Sequence, residues 1–172
     1  MTQRELNGLF LIVLVGLLCY GVISFNALSL WAQSTKRSPQ PVLTSEQLLE
    51  ERRKVNSIVN EEREKNRLAP LSWDDTLAAA AQKRAEELGI LFDHNRPQGG
   101  DFSSIFDEYG INTNAAAENI ANGQISASQA MASWMSSDGH RRNILNSSYR
   151  RMGVGAAYGP NGRLNWVQLF IK

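Results

Sequence analysis

The last two dozen residues constrain the fold most. Val154, Ala156 and Tyr158 alternate, Gly159-Pro160-Asn161-Gly162 is a strong turn, and Leu164, Trp166, Gln168 and Phe170 alternate again. This period of two around a tight turn predicts a β-hairpin. The intervening Val167, Leu169 and Ile171 are apolar as well, so the second strand offers no face to water. A strand of that kind belongs in the middle of a sheet with helices over both faces. The expected fold class is therefore α/β, a three-layer α-β-α sandwich around a small, largely antiparallel central sheet.

The covering helices are legible upstream. Thr44 with Gln47 is a capping-box pair, and Leu48, Val55, Ile58 and Val59 follow helical spacing to about Asn66. After Pro70, Ser72 with Asp75 reads as a second capping box. Leu77, Ala81, Arg84, Ala85 and Leu88 form one stripe, and Gly89 is placed to end the helix. Phe102 to Tyr109 fits a short helix. Ser126 with Gln129 opens another, with Ala127, Ala130, Met131 and Trp134 on one core-facing side to about Ser136. A last short helix runs through Leu145.

The first 35 residues are of different material. No charged side chain lies between Glu5 and Lys36, and residues 9–23 are almost wholly apolar. About 20 such residues cross the hydrocarbon core of a bilayer, so residues 7–31 read as a membrane anchor; a signal peptide cut after Ala27-x-Ser29 is the alternative. Either reading carries the remainder out of the cytoplasm. Residues 36–44, with Ser38-Pro39-Gln40-Pro41, form a linker, and residues 45–172 form the folded domain.

Composition narrows the field further. Lys and Arg total 18 against 17 for Asp and Glu, a net charge of +1, so nothing favours a nucleic-acid partner. The single cysteine, Cys19, lies in the apolar segment. The exported domain must therefore hold together by packing, and thiolate chemistry or a thiolate metal site is excluded.

The chain has only two histidines, His94 and His140, both in polar, Gly-flanked stretches, with Glu118 between them in sequence. Imidazole titrates near neutrality and ligates metals, so a shared site is the expectation.

The flanking motifs carry a resemblance. Val59-Asn60-Glu61-Glu62-Arg63, Pro70-Leu71-Ser72-Trp73, Asp93-His94-Asn95 and Ala117-Glu118-Asn119-Ile120-Ala121 come in that order. They are followed by Trp134 to Leu145 with Gly139-His140-Arg141-Arg142-Asn143, then Gly153-Val154-Gly155 and Trp166-Val167-Gln168-Leu169-Phe170. Together, over roughly Gln47 to Ile171, they resemble the CAP superfamily of cysteine-rich secretory, antigen 5 and pathogenesis-related proteins, in its bacterial, cysteine-free branch. The resemblance implies a cleft lined by His94, His140 and Glu118. Ser137 stands where animal and plant members carry a second acid, which puts any two-carboxylate mechanism in doubt.

Three readings of such a cleft follow. His94 and His140, with Glu118, make a donor set for zinc or another divalent cation, and such a centre supports a metal-dependent hydrolase or protease. A Ser–His–Glu hydrolase using Ser136 or Ser137 lacks a nucleophile-elbow or oxyanion motif. In the third reading the cleft belongs to a binding module at the cell envelope, for a lipid, cell-wall or protein ligand. There Asn95, Asn119, Ser137, Asn143 and Gln168 support the loops around it. Arg141, Arg142, Arg150 and Arg151 read as exposed charges near helix ends.

Overall fold

The computed structural model describes residues 42–172, so the expected anchor or signal and most of the linker lie outside the described residues. Among the described residues no helix is long and apolar enough to cross a membrane.

Helix α1 spans Ser45–Lys65 and opens with the predicted capping box. Gln47 N–H donates to Thr44 Oγ1 at 3.2 Å, and Thr44 N–H donates to Gln47 Oε1 at 2.9 Å. Two of its motif residues are fasteners. Asn60 pairs with Leu71 through Nδ2 to the carbonyl (3.0 Å) and Oδ1 from the N–H (2.8 Å). Arg63, fully buried, donates to the carbonyls of Ala69, Ile144 and Asn146.

Strand β1 is Ser72–Trp73, and helix α2 is Asp75–Glu87. The cap of α2 is Asp74, whose carboxylate accepts from Leu77 N–H at 2.9 Å, and not Ser72 as its spacing suggested. Ser72 is taken up by the sheet, pairing with Arg151. Gly89 also has a different role from the one expected. Its backbone is not left-handed, but a Cβ there would lie 3.2 Å from Pro160 Cδ and 3.3 Å from Gly159 Cα. It is small because the hairpin turn packs on it.

A 3-10 turn, Phe102–Ser104, leads into α3, Ile105–Glu108. Strand β2 spans Ala116–Asn122, α4 Ala127–Ser136, α5 Asp138–Ile144, β3 Arg151–Tyr158 and β4 Leu164–Ile171. The sheet order is β1-β3-β4-β2. As expected, β4 is internal and buried along its whole length, antiparallel to β3 and β2; β1 joins parallel to β3, so the sheet is mixed.

Each face of β4 has its own core. Leu164, Trp166 and Phe170 pack with Val55, Val59, Met131 and Trp134 from α1 and α4. Val167, Leu169 and Ile171 pack with Leu77, Ala81, Ala85 and Leu88 of α2 and with Ile105 and Phe106. Helix α2 presses onto β3 because both contact surfaces are small. A Cβ at Gly153 or Gly155 would overlap the α2 backbone at Leu77–Ala78 or at Ala81. Close packing of this kind is what holds a domain without disulfides.

Candidate functional site

The site forms at the free edge of the sheet, on β2. Successive side chains of a strand point to opposite faces, and here that alternation separates two polar assemblies. Glu118 reaches the α2 side, while Asn119 reaches the side of α4 and α5.

On the α2 side, Glu118 has no solvent-exposed side-chain surface. Arg84 Nε donates to its Oε1 at 2.8 Å, and His94 Nδ1 lies 2.8 Å from its Oε2. The second terminal nitrogen of Arg84 donates to the Asp93 carbonyl at 2.9 Å, which fixes the residue just before His94. Arg84 also donates to Glu87 at 2.9 Å. Glu87 in turn receives Arg96 at 2.6 and 3.0 Å, and Arg96 donates to Glu108 at 2.5 Å. The loop that carries His94 is thus pinned on either side of it, at Asp93 and at Arg96, by buried guanidinium groups. Burial pushes the Glu87 carboxyl up, but hydrogen bonds from Arg96, Arg84 and Gln98 outweigh it and hold the group down to about 2.

On the other side, Asn119 Nδ2 donates to the His140 carbonyl at 3.1 Å and to Gln168 Oε1 at 3.0 Å. Asn143 Nδ2 donates to Asn119 Oδ1 at 2.8 Å, and Gln168 Nε2 lies 3.5 Å from Met131 Sδ. Asn119 and Gln168 face each other across the β2–β4 ladder. Their network seats α5, and with it His140, against the edge strand.

The His94 ring is thus held at β2 from the α2 side and the His140 backbone from the side of α4 and α5, and no hydrogen bond among the described residues joins the two rings. The hydrogen bond to Glu118 raises the His94 pKa above the usual histidine value, against partial desolvation. Burial, then the His94 charge, lowers that of His140. His94 keeps 54% of its side-chain surface exposed and His140 is half-buried, so solvent reaches the pair.

Of the residues expected to support the cleft, Asn119, Asn143 and Gln168 share the one hydrogen-bond network just described. Asn95 instead stabilises its own turn, its N–H donating to Asp93 Oδ1 at 2.7 Å. Ser137 sits at the start of α5 but makes no side-chain cap bond. The Ser136 hydroxyl donates to the Ser133 carbonyl at 2.8 Å. Neither serine is hydrogen-bonded to an imidazole, so no Ser–His–Glu relay is assembled. Among the described residues no group of three His, Cys, Asp or Glu side chains is placed to hold a metal ion. The donor chemistry explains this: both Glu118 oxygens are occupied, one of them by a guanidinium. What remains is the unbonded Nε2 of His94, the His140 ring and solvent.

The sequence reading missed Arg84, Glu87, Arg96 and Glu108 as parts of the site. One signal was available. Arg84 lies in the apolar stripe of α2, where a charge requires a buried partner, and Glu87 follows three residues later.

The exposed arginines are largely accounted for locally. Arg141 donates to Asp138 and to the Met135 carbonyl, Arg150 to the Ser147 and Tyr149 carbonyls, and Arg151 to Asp74.

Comparison with known proteins shows the family and agrees with the fold. The chain is 38% identical over 121 residues to the uncharacterized protein YkwD of Bacillus subtilis, covering 69% of this chain and 46% of that one. It is 31% identical over 122 residues to the uncharacterized membrane protein YlbC of the same organism, covering 70% and 34%. The chain thus spans less than half the length of these relatives. Among solved structures, an extracellular SCP-domain protein from Bacillus anthracis superposes with a TM-score of 0.69 at 24% identity, covering 77% of this chain and 45% of that one. An outer surface protein of Borrelia burgdorferi gives 0.65 at 26% identity, covering 72% and 92%. The model of the CAP, or cysteine-rich secretory protein, family matches residues 57–170, a span that takes in both histidines, Glu118 and the sheet that seats them, and the chain belongs to that family.

Proposed function

We propose that this CAP domain works outside the cytoplasm, at the cell envelope, as a binding module whose ligand contacts the cleft between His94 and His140. The observation that carries this reading is the state of Glu118. Its side chain is fully buried, with one oxygen on Arg84 and the other on His94. A carboxylate so placed, with each oxygen engaged and its side chain out of solvent, orients an imidazole and ties a loop. Nor does an activated nucleophile stand beside either ring, which weighs against hydrolysis. The extracytoplasmic location is supported by the export-like segment before Lys36 and by relatives described as extracellular, as outer surface and as membrane proteins. Residues 7–31 are proposed as the anchor.

A second reading has its own support. A carboxylate on Nδ1 fixes the tautomer that leaves Nε2 as a lone-pair donor, the usual outer-shell partner of a metal-bound histidine. In that reading His94 and His140 hold zinc or another divalent cation, water completes the coordination, and Glu118 acts through His94.

The test uses the full chain in detergent and its His94→Ala/His140→Ala variant. Retention on purified cell-wall sacculi or on envelope lipid, lost in a variant that still unfolds cooperatively, is the expected result. Unchanged retention overturns the cleft as the binding surface. Calorimetric titration with zinc decides the second reading. Stoichiometric binding abolished in the variant supports it, and equal binding by both proteins rejects it.

A further inference from the structure

Within Leu43–Lys172, the exposed large apolar side chains are Leu49, Ile90, Leu91, Phe92 and Ile125. Three are consecutive, with exposures of 78, 41 and 51% for Ile90, Leu91 and Phe92. Single exposed apolar residues are commonplace, but three in a row on a loop mark a contact surface.

All five lie at one end of the sheet, the end of the β3–β4 turn. Leu49 is one turn into α1, and Leu43 N–H, just ahead of that helix, donates to Tyr158 Oη at 3.0 Å, at the last residue of β3. Ile90 follows Gly89, the residue on which Gly159 and Pro160 pack. Ile125 follows Gln124, whose carbonyl accepts from Trp166 Nε1 at 2.8 Å, and Gly123 N–H donates to the Leu164 carbonyl at 2.8 Å. The opposite end, where β3 starts, carries Arg150 and Arg151 instead.

The chain leading back to the apolar N-terminal segment joins the domain at this same end, at Leu43. Residues 32–42 separate the proposed span from it, a tether of about 40 Å at full extension. We propose that this end of the domain rests on the bilayer, with Ile90-Leu91-Phe92 inserted among the lipid headgroups and Leu49 and Ile125 beside it. The proposal rests on the reading of residues 7–31 as an anchor. One weak apolar insertion holds little by itself, but a second attachment on a short tether becomes intramolecular and is strongly favoured. The neighbouring exposed charges, Glu46, Glu50 and Asp93 against Arg163, are not a basic patch. The contact is therefore apolar, and anionic lipid does not strengthen it. It holds the Asp93-His94 segment close to the membrane surface.

The test takes the full chain, with Cys19→Ala, in phosphatidylcholine vesicles and a single environment-sensitive label on a new cysteine. The label is placed at Leu91→Cys, at Ile125→Cys, or at Glu64→Cys, which lies 15 residues beyond Leu49 on α1, about 22 Å along the helix. The expected result is quenching by lipid-borne nitroxide and severalfold protection from aqueous iodide at 91 and 125, and the reverse at 64. Adding phosphatidylglycerol does not increase the lipid quenching. Ile90→Ser/Leu91→Ser/Phe92→Ser, a change confined to exposed side chains, releases the label at 125. Vesicle flotation without lipid quenching at 91 overturns the proposal while leaving the anchor intact; protection from iodide without lipid quenching means a second protein copy covers the patch, and also overturns it. Failure of the full chain to float overturns both the anchor and the contact.

Discussion

His94 Nδ1 and Glu118 Oε2 stand 2.8 Å apart across the boundary between a solvent-exposed loop and a buried strand. The other oxygen of the same carboxylate receives Arg84 Nε at 2.8 Å. One buried charge thus ties a helix, a strand and a loop, and it gives a solvent-exposed imidazole a fixed orientation.

Glu118→Ala leaves the Arg84 guanidinium buried with one carboxylate fewer. Removing one partner of a buried pair costs about 3–5 kcal/mol, and the effect here falls toward the lower figure because Glu87 still binds Arg84. Chemical denaturation measures the loss. Faster backbone hydrogen exchange in the Gly89–Gly100 loop, greater than in β3, accompanies it.

The two imidazoles titrate on opposite sides of about 6.5, the ordinary histidine value. His94 is raised, chiefly by its hydrogen bond to Glu118, so the stabilisation it contributes is fully present below the unfolded value and is lost as pH rises through its folded one. His140 is lowered, chiefly by burial, so its contribution is present above the unfolded value and is lost as pH falls. Two-dimensional NMR of the ring protons resolves both. Glu118→Gln brings the His94 midpoint down, whereas equal midpoints in the wild type contradict the geometry.

Glu87, held down to about 2 by Arg96, Arg84 and Gln98, stabilises the fold above its unfolded value of about 4.3. That contribution, on the order of 3 kcal/mol, is lost as pH falls from about 5 toward 2. Glu87→Gln is therefore less stable at neutral pH and shows a flatter acid limb in denaturation profiles.

Gly155→Ala tests the contact between α2 and β3. The added methyl overlaps the Ala81 carbonyl, which is helix backbone and cannot swing aside. Overpacking of this kind costs about 1–3 kcal/mol. Gly162→Ala, at a left-handed turn position with open space around it (φ 71°), costs about 1–2 kcal/mol from backbone strain alone. Comparing the two by thermal denaturation separates packing from conformation.

Much of the layer architecture was readable from the chain. The double-faced apolar pattern of Leu164–Ile171 requires an internal strand whatever the partners, since each face must leave water. Capping at Thr44 and Ser126 is likewise local, set by hydrogen bonds within one turn. Ser72 failed as a cap because its strand partner, Arg151, lies far away in sequence. Segment 116–122 did not read as a strand, because its alternation carries Glu118 and Asn119, whose burial depends on Arg84 and Gln168.

The sequence by itself determined that two histidines and one acid are this domain's titratable cleft candidates, that no thiolate takes part, and that two helical layers enclose one sheet. Only the tertiary structure decided that Glu118 faces inward to a guanidinium, that its neighbour Asn119 seats the His140 backbone from the other side of β2, and that the exposed apolar residues gather at the end of the β3–β4 turn. The reason is one of range. Periodicity and capping act within a few residues, whereas the partner of a buried charge is chosen by which distant segments the sheet brings together.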